Sequence, residues 1–223
     1  MNLKGKIIDF LGDSITEGVG ITDQSCRFDN LIHDRFGLAA HYNYGVGGSR
    51  LAHQSVPSET PRYDLCFCGR AYLLEKSADL IVVYGGVNDY IHGDAYFGDM
   101  EDRTPATFCG AVYFLMNFLK ANYPDAKTVF MTPAHMHFRG VSDALVCPRP
   151  IKKPDAKPLA AYVEVIKARG KELDIDVLDL FEKLPIDPNN ESDREQYTVD
   201  GLHFNEEGHR LLAKVLGDFL ETI

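Results

Sequence analysis

The chain has 223 residues, of which 45% are hydrophobic and 25% charged, proportions that are ordinary for a globular protein. This length fits one larger α/β domain, and we expect a single domain over residues 1–223. Lysine and arginine number 23 against 33 acidic residues, which gives a net charge of −10. Nucleic acids and anionic membrane surfaces attract basic patches, so the charge argues against both as main partners.

The N-terminal segment and the cysteines indicate a cytoplasmic protein. Residues 1–6 lead directly into the first predicted strand, and no apolar stretch is long enough for a signal peptide or a membrane span. The five cysteines are irregularly spaced, and Cys66 and Cys68, the one close pair, lack the second half that a zinc site needs. We therefore expect reduced thiols, no metal, no cofactor and no membrane insertion.

Apolar, β-branched runs predict the strands. Four are clear and lie at residues 6–11, 80–84, 128–132 and 175–180, and a weaker one lies at 41–46. Helical patterns lie between and after them. Thr104 and Pro105 predict a helix start before the apolar stripe of residues 108–119, a second stripe covers 159–173, and Asn205 can cap the last helix. This alternation predicts an α/β fold with a parallel sheet covered on both faces.

Polar and glycine-rich segments follow the predicted strands. Parallel sheets bind ligands outside the carboxyl ends of their strands, so these segments should meet at one crevice. They are Gly12-Asp13-Ser14, Tyr44-Gly-Val-Gly-Gly-Ser49 and Gly85-Gly-Val-Asn-Asp89, and Asp200-Gly-Leu-His203 precedes the last helix. The long connections 50–62 and 136–158 are expected to be surface loops that can overhang this crevice.

These residue types are the ones that acyl transfer needs. A serine becomes nucleophilic when a histidine takes its proton, and a carboxylate holds the imidazole in the right tautomer. Backbone N–H groups and an amide side chain can then stabilise the oxyanion. Each segment also has an ordinary structural explanation: Gly-Asp-Ser as a turn, Asn88-Asp89 as a cap or Asx turn, and Asp200 with His203 as a polar helix entry.

Other motifs explain the pattern less well. Arg50 occupies the third glycine position of a dinucleotide-binding fingerprint, and no P-loop is present. The G-x-S-x-G elbow of α/β-hydrolases is absent.

Together, the four segments resemble the SGNH hydrolases, also called GDSL-like lipases/acylhydrolases. The matches occur in the family's order and span residues 12–203; they are Gly12-Asp-Ser-Ile-Thr16, Asn43-Tyr-Gly-Val-Gly-Gly48, Gly86-Val-Asn-Asp89 and Asp200-Gly-Leu-His-Phe-Asn205. The resemblance implies a three-layer α/β/α sandwich with a flavodoxin-like parallel five-stranded sheet. One departure is Phe204, where many relatives have proline, and it lies outside the chemistry.

The resemblance also implies roles for individual residues. Ser14 would be the nucleophile, His203 the base and Asp200 its orienting carboxylate. The oxyanion hole would consist of the Ser14 and Gly48 N–H groups and the Asn88 side chain, with Gly45 a second candidate for the glycine.

Several further residues are candidates for the substrate pocket. Asp13, Tyr90 and His92 are predicted to line the substrate pocket, and Phe97 and Phe138 are additional wall candidates. Core packing is the usual role of buried aromatic residues. His135 and His137 also follow a strand, but neither has a carboxylate three residues before it.

The sequence therefore predicts a serine esterase that cleaves a small carboxylic ester through an acyl-enzyme. A carbohydrate O-deacetylase, a thioesterase and a lysophospholipase on the same triad remain alternatives. A non-catalytic binding module and an acyltransferase are more remote ones. The partner is expected to be a small-molecule ester, and the oligomeric state stays open.

Overall fold

The centre of the protein is a five-stranded parallel sheet. A computed structural model describes all residues 1–223. The strands of this sheet are β1 (Ile7–Gly12), β2 (Ala40–Gly45), β3 (Leu80–Tyr84), β4 (Lys127–Met131) and β7 (Asp176–Leu178). Two short strands, β5 (His137–Phe138) and β6 (Val141–Ser142), form a separate antiparallel hairpin.

The strand order places a crevice beside β1. The order in the sheet is β2-β1-β3-β4-β7, and all neighbours are parallel. The chain leaves β1 towards β2 on one side and returns to β3 on the other, so connections diverge at the carboxyl end of β1. In open parallel sheets this is the point where ligands bind. The predicted α/β class and flavodoxin-like five-stranded sheet are confirmed.

Helices cover both faces of the sheet. They are α1 (Ser14–Glu17), α2 (Phe28–Phe36), α3 (Phe67–Arg70), α4 (Val87–His92), α5 (Phe108–Asn122), α6 (Leu159–Leu173), α7 (Leu180–Lys183), α8 (Glu191–Tyr197) and α9 (Glu206–Thr222). Short 3₁₀ turns lie at Gln24–Cys26, Pro61–Asp64 and Ala71–Leu73.

Two apolar layers bury the two faces of the sheet. On one face, Leu11, Ile81 and Phe130 pack with α5 and α6. On the other face, Phe10 and Val82 pack with α2 and α9. Neighbouring strand residues point to opposite faces, so β1, β3 and β4 carry continuous apolar runs instead of alternating ones.

Two predicted boundaries are wrong, and local caps explain both. Helix α5 begins at Phe108, not after Thr104, because the Thr107 hydroxyl accepts a hydrogen bond from Gly110 N (3.1 Å). Strand β7 ends at Leu178 instead of residue 180, because the Asp179 carboxylate caps α7. In both cases a side-chain oxygen accepts a hydrogen bond from a backbone N–H three residues later and so marks the start of a helix.

All five cysteines are free and buried. None of the helices combines the length and the apolar character that crossing a bilayer requires.

Candidate active site

Ser14 lies at the tight turn between β1 and α1, at the crevice. The turn leaves no room for a side chain at Gly12, where a Cβ atom would lie 1.9 Å from the Thr16 hydroxyl oxygen. The Asp13 carboxylate caps α1 by accepting a hydrogen bond from Ile15 N (3.0 Å). Ser14 is 6% exposed, and its side chain faces the cleft.

His203 and Asp200 meet Ser14 from the other end of the chain. His203 Nε2 lies 2.9 Å from Ser14 Oγ, and His203 Nδ1 lies 2.7 Å from Asp200 Oδ2. The other Asp200 oxygen accepts hydrogen bonds from the backbone N–H groups of Leu202 (3.0 Å) and His203 (2.8 Å). The predicted three-residue step thus brings the carboxylate onto the imidazole within one turn.

The segment that carries His203 is fixed by the β5–β6 hairpin. Gly201 has a φ of +84°, and a Cβ atom there would lie 1.9 Å from the His137 carbonyl oxygen. The Gly201 carbonyl in turn accepts a hydrogen bond from His137 N (2.9 Å). The Phe138 ring packs edge-on against the His203 ring at 6.1 Å. A glycine is required at 201 by both its conformation and this close approach.

The backbone N–H groups distinguish Gly48 from Gly45. Gly45 N donates to Asn43 Oδ1 (2.9 Å), and Gly47 N donates to Glu17 Oε2 (2.7 Å). Gly48 N has no acceptor in the protein, and Gly48 lines the cleft with Ser14. Ser14 is the first residue of α1, so its own N–H has no acceptor within that helix. These two unpaired donors are available to an oxyanion.

Glycine is also the one residue type that fits at position 48. Its φ is +74°, and a Cβ atom would lie 2.3 Å from the Tyr63 ring. Tyr63 therefore packs directly over the Gly48 backbone.

A chain of hydrogen bonds orients the Asn88 amide. Asn88 Nδ2 donates to the Ser49 carbonyl (3.1 Å), which leaves its second N–H free. Asn88 Oδ1 lies 3.0 Å from His92 Nε2, and His92 Nδ1 lies 3.1 Å from the Arg50 guanidinium. Because arginine can only donate, Nδ1 accepts and Nε2 carries the proton that Asn88 Oδ1 accepts. Arg50 is 2% exposed and pairs with Asp64 (2.8 Å).

The electrostatic surroundings set the charge of these groups. Burial raises the pKa of Asp200, but the hydrogen bonds from the His203 side chain and backbone outweigh it and hold the pKa below its usual value. Burial, together with the nearby charges of Arg50 and Arg149, lowers the pKa of His92 to about 4. At neutral pH Asp200 is therefore ionised and His92 is neutral.

Asp13 and Asp89 are buried supports of the site. Burial raises the pKa of each to about 6, against the hydrogen bonds from backbone N–H groups. Asp89 accepts from Leu51 N (2.9 Å) and Ala52 N (3.0 Å), so it anchors the start of the 50–62 loop.

The cleft in front of Ser14 has a volume of about 770 Å³. Gly48, Asn88, His92, Phe138 and His203 line it, as predicted for a crevice at the carboxyl ends of the strands.

Three predicted pocket residues lie elsewhere. Asp13 is buried beneath Ser14, where it caps α1 instead of facing a ligand. Tyr90 is fully buried, and its hydroxyl lies within hydrogen-bonding distance of the carbonyls of Ser142 (3.0 Å) and Leu145 (2.8 Å). Phe97 packs in the core against Phe108.

His135 and His137 do not line the cleft. His135 instead pairs with Asp143 at 2.8 Å.

Sequence reasoning missed the arginines of the cleft. Arg50, Arg62, Arg139 and Arg149 all line it, together with Tyr63 and Glu17. The two long connections were expected to overhang the crevice, and these four arginines lie in them. Their high local content of basic residues was the one signal that could have indicated a charged wall.

At the carboxyl ends of the strands, a serine, a histidine and an aspartate lie in hydrogen-bonding contact, the combination of residues that acyl transfer uses. The model of the GDSL-like Lipase/Acylhydrolase family matches residues 10–211, so the chain belongs to this family. It is an enzyme that hydrolyses ester bonds. A search of the curated proteins found no match.

Solved structures share the fold over nearly the whole chain. A protein from Lactobacillus plantarum is 26% identical, with a TM-score of 0.81 and coverage of 98% of both chains. The acetyl xylan esterase AlAXEase is 19% identical, with a TM-score of 0.60 and coverage of 96% of this chain and 98% of that one. A two-domain esterase active on acetylated mannans is 16% identical, with a TM-score of 0.62, and this chain spans 50% of it.

Proposed function

We propose that this enzyme is a serine esterase that cleaves small, water-soluble carboxylic esters through an acyl-enzyme on Ser14. The observation that carries the proposal is the continuous contact from Ser14 Oγ to His203 Nε2 (2.9 Å) and from His203 Nδ1 to Asp200 (2.7 Å). This arrangement provides a nucleophile, a base and an orienting carboxylate at once.

The first half of the reaction forms the acyl-enzyme. His203 Nε2 takes the hydroxyl proton as Ser14 Oγ attacks the ester carbonyl carbon, and the carbonyl oxygen becomes an oxyanion. The Ser14 and Gly48 N–H groups and the free N–H of Asn88 donate to it. As the tetrahedral intermediate collapses, the bond to the alcohol oxygen breaks, and His203 returns the proton to that oxygen.

The second half restores the enzyme. A water molecule loses a proton to His203 and attacks the acyl carbon, and the bond to Ser14 Oγ breaks as the proton returns to Ser14. The carboxylic acid then leaves. The ionised Asp200 stabilises the imidazolium in both halves and keeps Nδ1 protonated.

The cleft supports small, soluble substrates. Only six of its twenty lining residues are hydrophobic, and its charged side chains would be costly to bury against a lipid chain. Carbohydrate O-deacetylation is the alternative with specific support, since two esterases of the same fold are an acetyl xylan esterase and an enzyme active on acetylated mannans.

The decisive experiment combines labelling with a substrate panel. A fluorophosphonate should label the wild-type protein at Ser14, and Ser14→Ala should lose labelling and hydrolysis while its circular dichroism stays unchanged. Ser142→Ala is the matched control, because Ser142 lies outside the cleft. The panel should contain acyl esters of increasing chain length, a thioester and acetylated sugars. Labelling at another serine, or a preference for long chains at an oil interface, would contradict the proposal.

A further inference from the structure

Two arginines in the cleft differ from every other arginine of the chain. The sequence contains eleven. Nine of them have a carboxylate partner or donate to a carbonyl oxygen. Arg139 and Arg149 have neither, and both line the cleft that contains Ser14. The two guanidinium groups without a carboxylate or carbonyl partner therefore both lie in this cleft, Arg139 exposed and Arg149 half-buried.

Backbone and packing place Arg139 against Phe138, the ring that packs on His203. Arg139 follows Phe138 in the β5–β6 hairpin and has a φ of +52°, a conformation that residues with a Cβ rarely adopt. Its guanidinium lies over the Phe138 ring at 4.9 Å, and that ring packs against His203. Gly140 also has a positive φ (+77°), so these two residues form the tight turn of the β5–β6 hairpin, and this turn fixes Arg139 at the hairpin tip.

Arg149 carries a second charge on the same wall. It is half-buried, and its positive field contributes to lowering the pKa of His92, after burial and Arg50. The Arg149 charge therefore acts on His92, the side chain that hydrogen-bonds Asn88.

The balance of charge in the cleft is opposite to that of the whole chain. Four arginines line the cleft; Arg62 is paired with Glu17 and Arg50 with Asp64, which leaves Arg139 and Arg149 against one unpaired lining carboxylate, Glu59. The chain as a whole carries −10 and repels anions at long range. A locally positive cleft in an acidic protein needs a reason, and an anionic ligand provides one.

We propose that Arg139 and Arg149 bind an anionic group on the substrate, a carboxylate or a phosphate, so that the enzyme prefers anionic esters to neutral ones of the same size. The planar guanidinium fork matches both groups. The inference rests on the proposed function of Ser14, because it names the substrate class of that site.

The test compares aryl acetates that carry an anionic or a neutral group at the same ring position. Para-acetoxybenzoate and para-acetoxyphenyl phosphate carry an anion, and para-acetoxybenzamide is the neutral counterpart. At low ionic strength the wild-type KM should be at least about tenfold lower for one of the two anionic esters. Added salt should raise that KM and leave the KM for the amide unchanged. Whether the carboxylate or the phosphate ester shows the lower KM identifies the anion.

The variants are Arg149→Gln and Arg139→Asn, since asparagine tolerates a positive φ. Each should raise the KM for the preferred anionic ester about tenfold and leave kcat/KM for the amide within about twofold. Arg149→Lys should retain part of the preference. Lys171→Gln is the control, because Lys171 is exposed and lies outside the cleft.

Binding provides a second readout. The affinity of Ser14→Ala for para-hydroxybenzoate and for para-hydroxyphenyl phosphate should exceed that for para-hydroxybenzamide and should depend on Arg149.

If the wild type hydrolyses all esters equally, or if the arginine variants affect charged and neutral esters alike, this inference is wrong and the proposed esterase function stands. If no ester is hydrolysed but an anion still binds through Arg149, the proposed function is wrong and the anion site stands. Absence of both hydrolysis and Arg149-dependent binding overturns both.

Discussion

His203 and His92 line the same cleft, but their neighbours are of opposite charge. His203 Nδ1 contacts the Asp200 carboxylate, and in the proposed mechanism this carboxylate stabilises the imidazolium that forms when the ring takes the Ser14 proton. His92 Nδ1 contacts the Arg50 guanidinium, and its pKa is lowered to about 4. One imidazole is suited to gaining a proton and the other to staying neutral and donating one hydrogen bond. The partner of a histidine, more than its place in the cleft, decides what it can do.

The largest effect is expected from removing the carboxylate that contacts His203. Asp200→Asn should lower kcat about 10⁴-fold, because an amide favours the wrong tautomer of His203 and cannot stabilise an imidazolium. Steady-state kinetics with a short-chain ester measure the loss, and unchanged circular dichroism excludes unfolding. A loss below tenfold would mean that Asp200 is a structural residue of the loop.

The next largest effect is expected at Asn88, the residue that His92 hydrogen-bonds. Asn88→Ala should lower kcat by about 10²–10³ with little change in KM, which is the usual cost of losing one oxyanion donor. If KM rises and kcat hardly moves, Asn88 contacts the ground-state substrate instead.

Removing His92, the histidine that contacts the Arg50 guanidinium, should lower kcat less. His92→Ala should lower kcat about tenfold, because Asn88 loses the donor that fixes its amide. His92→Gln should restore much of the activity, since a glutamine amide four residues on in the helix can donate to Asn88 Oδ1. The double variant Asn88→Ala/His92→Ala should be no slower than Asn88→Ala alone. Additive losses, or an effect confined to KM, would show that His92 acts directly on the substrate.

The smallest effect concerns stability and sharpens any pH experiment on His203. Burial raises the pKa of Asp9, on β1, to about 7 from 3.8. Between about pH 4 and pH 7 the folded state keeps the Asp9 proton, whereas the unfolded state has released it. The free energy of unfolding therefore falls as pH rises through this range. Asp9→Asn should therefore raise Tm by about 5 °C at pH 8.5 and by clearly less at pH 5.

Differential scanning calorimetry at both pH values tests this prediction. An equal shift at both would mean that the Asp9 charge does not oppose folding. Because this loss overlaps the range in which histidines titrate, Asp9→Asn is also the better background for measuring the pH dependence of hydrolysis.

Sequence patterns predicted the sheet, the central residues of the site and two wall residues, His92 and Phe138, but not the arginines of the wall. The strands and the grouping of Ser14, Asn88, Asp200 and His203 depend on local apolar runs and on short motifs, which a single sequence displays directly. The contacts Arg50–His92 and His137–Gly201 join segments that are distant in the chain, so no local sequence pattern predicts them. Asp13 and Tyr90 were misplaced for a related reason: proximity in sequence to a site does not say which way a side chain points.

The reactive hydrogen bond joins two residues separated by 189 positions in the chain. Ser14 therefore lacks its proposed base until the segment that precedes α9 has been synthesised and has docked on the β5–β6 hairpin. Long-range contacts of this kind form late in folding and are lost early when the docking segment detaches. Hydrolysis is thus a sensitive report on complete assembly of the chain, and we expect activity to disappear before the helical signal during mild denaturation.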